Sequence, residues 1–235
     1  FEAFCVGGAV RDSLLGLTPE DYDVTTNAKP QDIIELFPHT IPTGIAHGTV
    51  TVVTQDGNIE VTTYRTDGQY LDHRTPQNVE FLFSVDGDLE RRDFTVNAIC
   101  YNHNKGIYDA QNGVADLNAK IIRAIGNPDK RFNEDALRII RAFRFSAQLG
   151  FKIEENTLKS AKKLSYLLEK ISPERIFVEL KKGLTAKHTS QFFDIFSTNC
   201  FEFIGLKSIS LPQNLSLCPN IFALRLALIC TTNKI

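Results

Sequence analysis

The chain is 235 residues long and contains neither methionine nor tryptophan. Without a methionine it is not expected to be a complete primary translation product, and residues are expected to have been removed ahead of Phe1. No apolar stretch approaches the roughly eighteen consecutive residues that a bilayer span demands. The longest near the C-terminus, Ile221 to Cys230, is interrupted by Arg225, so a soluble protein is expected. The five cysteines, at 5, 100, 200, 218 and 230, form no CxxC pair and have no histidine at ligand spacing. Such an odd, scattered set argues against a disulfide framework and a structural zinc site. The opening Phe1-Glu2-Ala3-Phe4 lacks the basic-then-apolar layout of a secretory leader, which makes a reducing, cytoplasmic setting the default.

What is present is ordinary globular composition: 43% hydrophobic and 23% charged residues with 14 glycines and 9 prolines. Disorder, collagen and coiled coil are excluded on that ground. Charge is scarce only as a net quantity, −2, because its segments cancel. Residues 1–115 hold 7 Lys and Arg against 17 Asp and Glu, residues 116–188 hold 16 against 9, and residues 189–235 hold 3 against 2. An acidic front followed by a basic middle suggests a cation site and a surface for polyanions, with uneven surface charge as the plain alternative.

Local patterns predict an α+β front. Ala9 to Leu15 reads as a short helix opened by Gly7-Gly8, and Pro30 to Phe37 as a second, with Tyr22 to Thr26 a strand between them. Thr49 to Thr54 and Ile59 to Tyr64 flank Gln55-Asp56-Gly57-Asn58, the strongest hairpin signal in the chain. Val79 to Phe83, Ala98 to Tyr101 and Ile121 to Ala124 are further strand candidates, and the polar segment Thr66 to Asn78 reads as a mobile loop over a site. Beyond Asn133 the period changes to helix, over Glu134 to Leu149, Asn156 to Leu168 and Pro173 to Leu184, and the apolar tail is expected to be helical.

Four clusters carry possible chemistry. In Asp21-Tyr22-Asp23, alternate residues of a strand share a face, so both carboxylates can address one magnesium ion. Glu60 could add a third carboxylate, although Val61 could equally face that way. Gly7-Gly8-Ala9-Val10-Arg11-Asp12 lets backbone approach a phosphate at a helix start, with Arg11 adding charge. Arg91-Arg92-Asp93 could bind phosphate or ribose, or be a surface ion pair. Asp135, Arg138, Arg141 and Arg144, three apart, predict a polar stripe on a helix opposite Leu137 and Ile140. Each cluster alone reads more simply as structure. A phosphate-cradling turn about ten residues from a carboxylate pair is nevertheless the layout that metal-assisted nucleotidyl transfer requires.

Taken in order, Gly-Gly-Ala-Val-Arg-Asp with Asp-Tyr-Asp, Arg-Arg-Asp-Phe-Thr-Val-Asn-Ala, Asp109 to Leu117, Glu-Asp-Ala-Leu-Arg, and Arg144-Phe145 to Gly150-Phe151 resemble the five motifs of class II tRNA nucleotidyltransferases. That family comprises the CCA-adding enzymes and related bacterial poly(A) polymerases, and the resemblance spans roughly residues 5 to 185. It implies a palm-like head (1–115), a helical neck carrying the base-recognition helix (116–188), and the start of a helical body (189–235) that stops early at Ile235. It implies that Asp21 and Asp23 hold magnesium, that Gly8 and Arg11 bind the nucleotide phosphates, and that Arg92 meets the sugar-phosphate part. Asp135 and Arg138 would read the base, with Arg141 and Arg144 continuing the contacts. Chemistry supports the last pairing: aspartate accepts and arginine donates, and cytosine and adenine both offer an amino donor beside a ring-nitrogen acceptor. Uracil and guanine reverse that polarity, which costs about 1–3 kcal/mol per unpaired buried group. Two positions depart from the family pattern, Ala110 where proline is common and Thr75 where a second arginine often precedes Pro76.

The expected function is template-independent addition of C, C and A to the 3′ end of tRNA from CTP and ATP. CC-only or A-only addition and poly(A) polymerase are the nearest alternatives. From other classes, a non-catalytic RNA-binding fragment or a two-metal phosphohydrolase remain open. The five histidines show no ligand spacing, and His47, between Ala46 and Gly48, reads as a turn residue.

Overall fold

The apolar tetrapeptide Ala3–Val6 forms strand β1 of the computed structural model, which describes residues 1–68, 79–198, 212, 215 and 218–233. These residues divide into two units, 1–68 with 79–119, and 120 onward. In the first, β1 leads through Gly7 into helix α1 (Gly8–Leu14), strand β2 (Asp23–Thr26), helix α2 (Pro30–Leu36), and strands β3 (Thr40–Gly44), β4 (Thr49–Thr54) and β5 (Gly57–Thr63). A ribbon of β6 (Arg65–Asp67) with β7 (Val79–Phe81), helix α3 (Val85–Glu90), strands β8 (Cys100–Asn102) and β9 (Gly106–Tyr108), and helix α4 (Gly113–Ala119) complete it. Seven strands form a mixed sheet in the order β3-β4-β5-β2-β1-β8-β9, with β2 and β5 parallel and their other neighbours antiparallel. The α+β architecture expected from the sequence is present.

Alternation along the strands separates chemistry from core. Val24, Val50, Val52 and Val61 pack against Ala28 and against Ile33 of α2 on one face. Asp23 lies beside Glu60 in register across the parallel pair, so the two carboxylates share the opposite face, and Val61 belongs to the core. Pro30 opens α2 at its first turn, where the missing N–H costs nothing, and Asp32 accepts from the Lys29 N–H at 2.8 Å.

Several boundaries moved for identifiable reasons. The hairpin pairs Thr54 with Gly57, so Gln55 and Asp56 make the turn, and Gly57 takes φ 133°, open to glycine. Thr66 and Asp67 are strand, paired with Glu80 and Val79, and residues 69–78 of the expected loop, with Thr75 and Pro76, lie outside the described residues. The strand expected over Ala98 to Tyr101 starts at Cys100, because Thr95–Asn97 closes a 3-10 turn first. A division after residue 115 would cut α4, which stays with the first unit: Thr95 Oγ1 donates to the Asp116 carboxylate at 2.7 Å.

The second unit is built around one buried helix. After a short β10 (Ile121–Ile122) come α5 (Pro128–Glu134), α6 (Leu137–Leu149), β11 (Lys152–Ile153, parallel to β10), α7 (Glu155–Lys163), a 3-10 turn at Ser165–Lys170, α8 (Pro173–Leu184), α9 (Thr189–Phe192) and α10 (Phe222–Asn233). The single helix expected over Glu134 to Leu149 is two, because Asp135 is extended (φ −137°, ψ 105°). Its carboxylate accepts from the Leu137 N–H at 3.1 Å, starting α6 as an N-cap does. Gly150 stops α6 in the left-handed region (φ 71°) with its N–H on Ser146 O, and the His188 ring lies where a Cβ would project. Within α6, Ile139, Ile140, Ala142, Phe143 and Ala147 are wholly inaccessible.

Candidate active site

In the first unit the glycine turn is a backbone necessity. Gly7 sits at φ 77°, ψ −129°, a conformation costly for residues with a Cβ, and a Cβ there would lie 3.3 Å from Arg92 Nη1. No side chain caps the start of α1. The turn therefore brings uncapped backbone amides and the Arg92 guanidinium together. Arg11, expected to offer charge to phosphate, is buried instead: Nη1 donates to Asn97 Oδ1 at 2.6 Å and Nε to Asp12 Oδ1 at 2.8 Å. Asn97 in turn donates to Asp93 Oδ1 at 3.0 Å, which also accepts the Phe94 N–H. Arg11 thus ties the glycine turn to the Arg-Arg-Asp segment.

Asp23 opens β2, whereas Asp21 precedes the strand, so the shared pleat expected for the pair is not what joins them. They are joined electrostatically. Asp23 is exposed at the strand end, yet partial burial of its carboxyl raises it above its ordinary value; Arg92 opposes that shift and Asp21 adds to it. Like charges that raise one another are eased by a cation placed between them. All the donors are oxygens, and magnesium takes one or two carboxylates with substrate phosphates and water completing its shell, so the residues fit that ion. Glu60 shares the face, but among the described residues no three His, Cys, Asp or Glu side chains gather closely enough to hold a metal.

Arg91 and Arg92 share an ion-pair partner a few residues upstream. Both converge on Asp88 of α3, whose side chain is wholly inaccessible. Burial alone would raise that carboxyl, but Arg92 and Arg91, with hydrogen bonds from Arg91 and Thr25, hold it below the ordinary aspartate range.

The second unit collects the remaining candidates. Asp135 stands between helices, so it does not lie on the expected stripe, and Arg138 and Arg144 are buried. Arg138 Nη1 donates to Glu134 Oε2 at 2.8 Å and to Arg131 O at 3.1 Å. Arg175 Nη2 donates to Asp135 Oδ2 at 2.9 Å, while Arg144 meets Glu179 at 2.6 Å and lies 3.5 Å from the Phe145 ring centroid. Arg141 approaches the same Glu179 at 3.7 Å. One face of α8 therefore supplies, four residues apart, a cation for Asp135 and an anion for Arg141 and Arg144.

Asp88 and Asn97 of the first unit and Arg175 and Glu179 of the second escaped the sequence reading. Asp88 had a signal, standing three and four residues ahead of Arg91 and Arg92, the spacing of helical ion pairs. Arg175 had none, since its partner is 40 residues away. The cysteines described are free, and burial pushes the Cys100 thiol up to about 12, out of reach of nucleophilic use.

A mixed sheet with carboxylates at a strand end, a glycine turn leading into the first helix, and a helical unit behind it in the chain define the nucleotidyltransferase class of α+β proteins. Residues 3–123 match the family model described as the poly A polymerase head domain, and residues 150–201 the one described as probable RNA and SrmB-binding site of polymerase A. The chain belongs to the poly A polymerase head domain family. It is 49% identical over 207 residues to the CCA-adding enzyme of Ligilactobacillus salivarius, covering 88% of this chain and 51% of that protein. It is 42% identical over 236 residues to that of Staphylococcus haemolyticus, covering 100% and 59%. The crystal structure of the Bacillus stearothermophilus CCA-adding enzyme in complex with CTP superposes with a TM-score of 0.82 at 36% identity, over 93% of this chain and 54% of that one. The chain spans about half the length of the relatives it matches.

Proposed function

We propose that this chain adds C, C and A to the 3′ end of tRNA without a nucleic-acid template, using CTP and ATP, with magnesium as cofactor. The observation that carries this reading is the meeting, in one unit, of the Gly7 turn, Arg92 and the Asp23 carboxylate. A tRNA 3′ oxygen attacks the α-phosphorus, the bond to the β-phosphate oxygen breaks, and pyrophosphate leaves. Asp21 and Asp23 hold the metal, with Glu60 beside them; when bound, magnesium neutralises charge on the triphosphate and makes the attacking hydroxyl more acidic. Gly8 and Arg11 bind the nucleotide phosphates and Arg92 the sugar-phosphate part, with Arg11 also keeping the turn in place through Asn97.

Asp135 and Arg138 read the base, and Arg141 and Arg144 extend that set. Both Asp135 oxygens already accept a donor, from Leu137 and Arg175, yet a carboxylate has about four acceptor positions, so capacity for a base amino group remains. In this reading the head ends with α4, residues 120–188 act as the neck and 189–235 begin a body, and the setting is the cytoplasm. The names of the relatives, and a solved tRNA nucleotidyltransferase complexed with a primer tRNA and an incoming ATP analog at 27% identity, support it.

The test is extension of tRNA lacking its terminal CCA, with CTP, ATP or both, in magnesium and in excess chelator. Two additions with CTP, a third once ATP is present, and none in chelator are expected. A stall after two residues, addition of A alone, or a growing A tail would replace the reading with CC-only, A-only or poly(A) synthesis. Release of phosphate without extension would mark a hydrolase, and RNA binding with no chemistry a binding fragment.

A further inference from the structure

We propose that Asp88 is a positioning residue: from beneath the sheet face that carries Asp23, its buried carboxylate fixes the Arg92 guanidinium for nucleotide binding. Asp88 Oδ2 accepts from Thr25 Oγ1 at 3.0 Å and from Arg92 Nη2 at 3.3 Å, and Oδ1 accepts from Arg91 Nε at 2.9 Å and Nη2 at 2.6 Å. Thr25 is two residues along β2 from Asp23 and therefore on the same face. One carboxylate oxygen thus joins the strand that carries the metal-binding aspartate to the arginine beside the glycine turn.

The engagement of Arg92 is one-sided. Nη2 is spent on Asp88, Nη1 lies by Gly7, and Nε is buried with no hydrogen-bond partner among the described residues. An arginine pinned by one nitrogen keeps its other donors aimed without loss of rotamer freedom at the moment a phosphate or ribose oxygen arrives, which is the benefit of preorganisation. Asp88 cannot itself be a ligand for the nucleotide, since it is wholly inaccessible and ringed by two arginines and Thr25.

The inference rests on the reading that Arg92 contacts the nucleotide, and a mutant cycle separates the two. CTP binding to the 235-residue chain is measured by calorimetry for the wild type, Asp88→Asn, Arg92→Ala and the double variant, with thermal melts alongside. The expected result is that Asp88→Asn weakens CTP and ATP binding alike, by about tenfold, and adds nothing once Arg92→Ala is present. A role in folding alone would lower the fraction of binding-competent protein and leave Kd unchanged, which overturns the proposal, as would full additivity of the two substitutions. Unchanged affinity in Arg92→Ala would instead remove the reading of Arg92, and the proposal with it. If Asp88→Asn does not fold, Thr25→Val, which deletes one donor to the same oxygen, is expected to weaken CTP binding by about threefold in the wild-type background and not in Arg92→Ala; equal effects in both backgrounds, or none, overturn the proposal.

Discussion

The two units place their charged candidates by different means. In the first, backbone geometry does most of the work: a glycine at positive φ brings α1 beside Arg92, and strand register sets Asp23 next to Glu60. In the second, placement is by side chains reaching between helices, Arg175 to Asp135 and Glu179 to Arg144. Backbone placement survives the loss of a surface charge, whereas an ion pair buried between helices fails when either partner goes. The first unit is therefore expected to tolerate charge changes that the second does not, except at the buried Arg11, Asp88, Asp93 and Asp116.

The largest effect should come from Glu179→Ala. Both it and Arg144 have side chains only 7% exposed, so the change removes the carboxylate that faces a buried guanidinium and should cost about 3 kcal/mol, even with the Gln148 hydrogen bond kept. Hydrogen exchange should show lost protection centred on α6 and α8 with residues 1–68 little changed; equal loss in both units would break the comparison. Gly7→Ala should cost about 1–2 kcal/mol through its positive φ and push Arg92 aside, so a modest fall in melting temperature should accompany weaker nucleotide binding. A full-strength binding isotherm in that variant would detach the turn from Arg92.

The smallest effects sharpen the contrast within the first unit, where two aspartates titrate in opposite senses. Asp88 is held below the ordinary 3.8, so its contribution to stability is complete above that pH and is lost as pH falls further through its lowered value. Asp23 is raised, so its ionised form is disfavoured by the fold, and that penalty eases as pH drops through its raised value. At pH 7 Asp23→Asn should therefore melt slightly above the wild type and flatten the stability gain expected on mild acidification. Melts across pH 3 to 7 measure both, and a lower melting temperature for Asp23→Asn would show that its carboxylate is satisfied rather than strained. Asp23 is thus raised and Asp88 lowered because burial outweighs the arginines at the first and the arginines outweigh burial at the second.

Much of the first unit was legible because its signals are local. Glycines before a helix, a hydrophobic face of period two, and Pro30 at a helix start act within a few residues, and their expected elements are present within a residue or so at α1, α2, β4 and at α8 of the second unit. Where local signals competed, the reading slipped. Asp135 lies in an uninterrupted helical period, but as a short acceptor it serves better capping α6 than extending α5, and the helix breaks there. The arginine stripe looked solvent-facing because charge is normally exposed. The carboxylates of Glu134 and Glu179 and the ring of Phe145 make burial tolerable.

The sequence by itself determined the class of fold, the family through five ordered motifs, and the residue types available to bind metal and phosphate, because each depends on spacing within a single element. Tertiary structure alone decided which partners those residues take. Arg11 became a brace for Asn97, Arg91 and Arg92 shared the buried Asp88, and Glu60 rather than Val61 joined the Asp23 face. The physical reason is that a charged group takes its role from the partner that replaces its water, and folding can draw that partner from far along the chain, 86 residues in the case of Arg11 and Asn97.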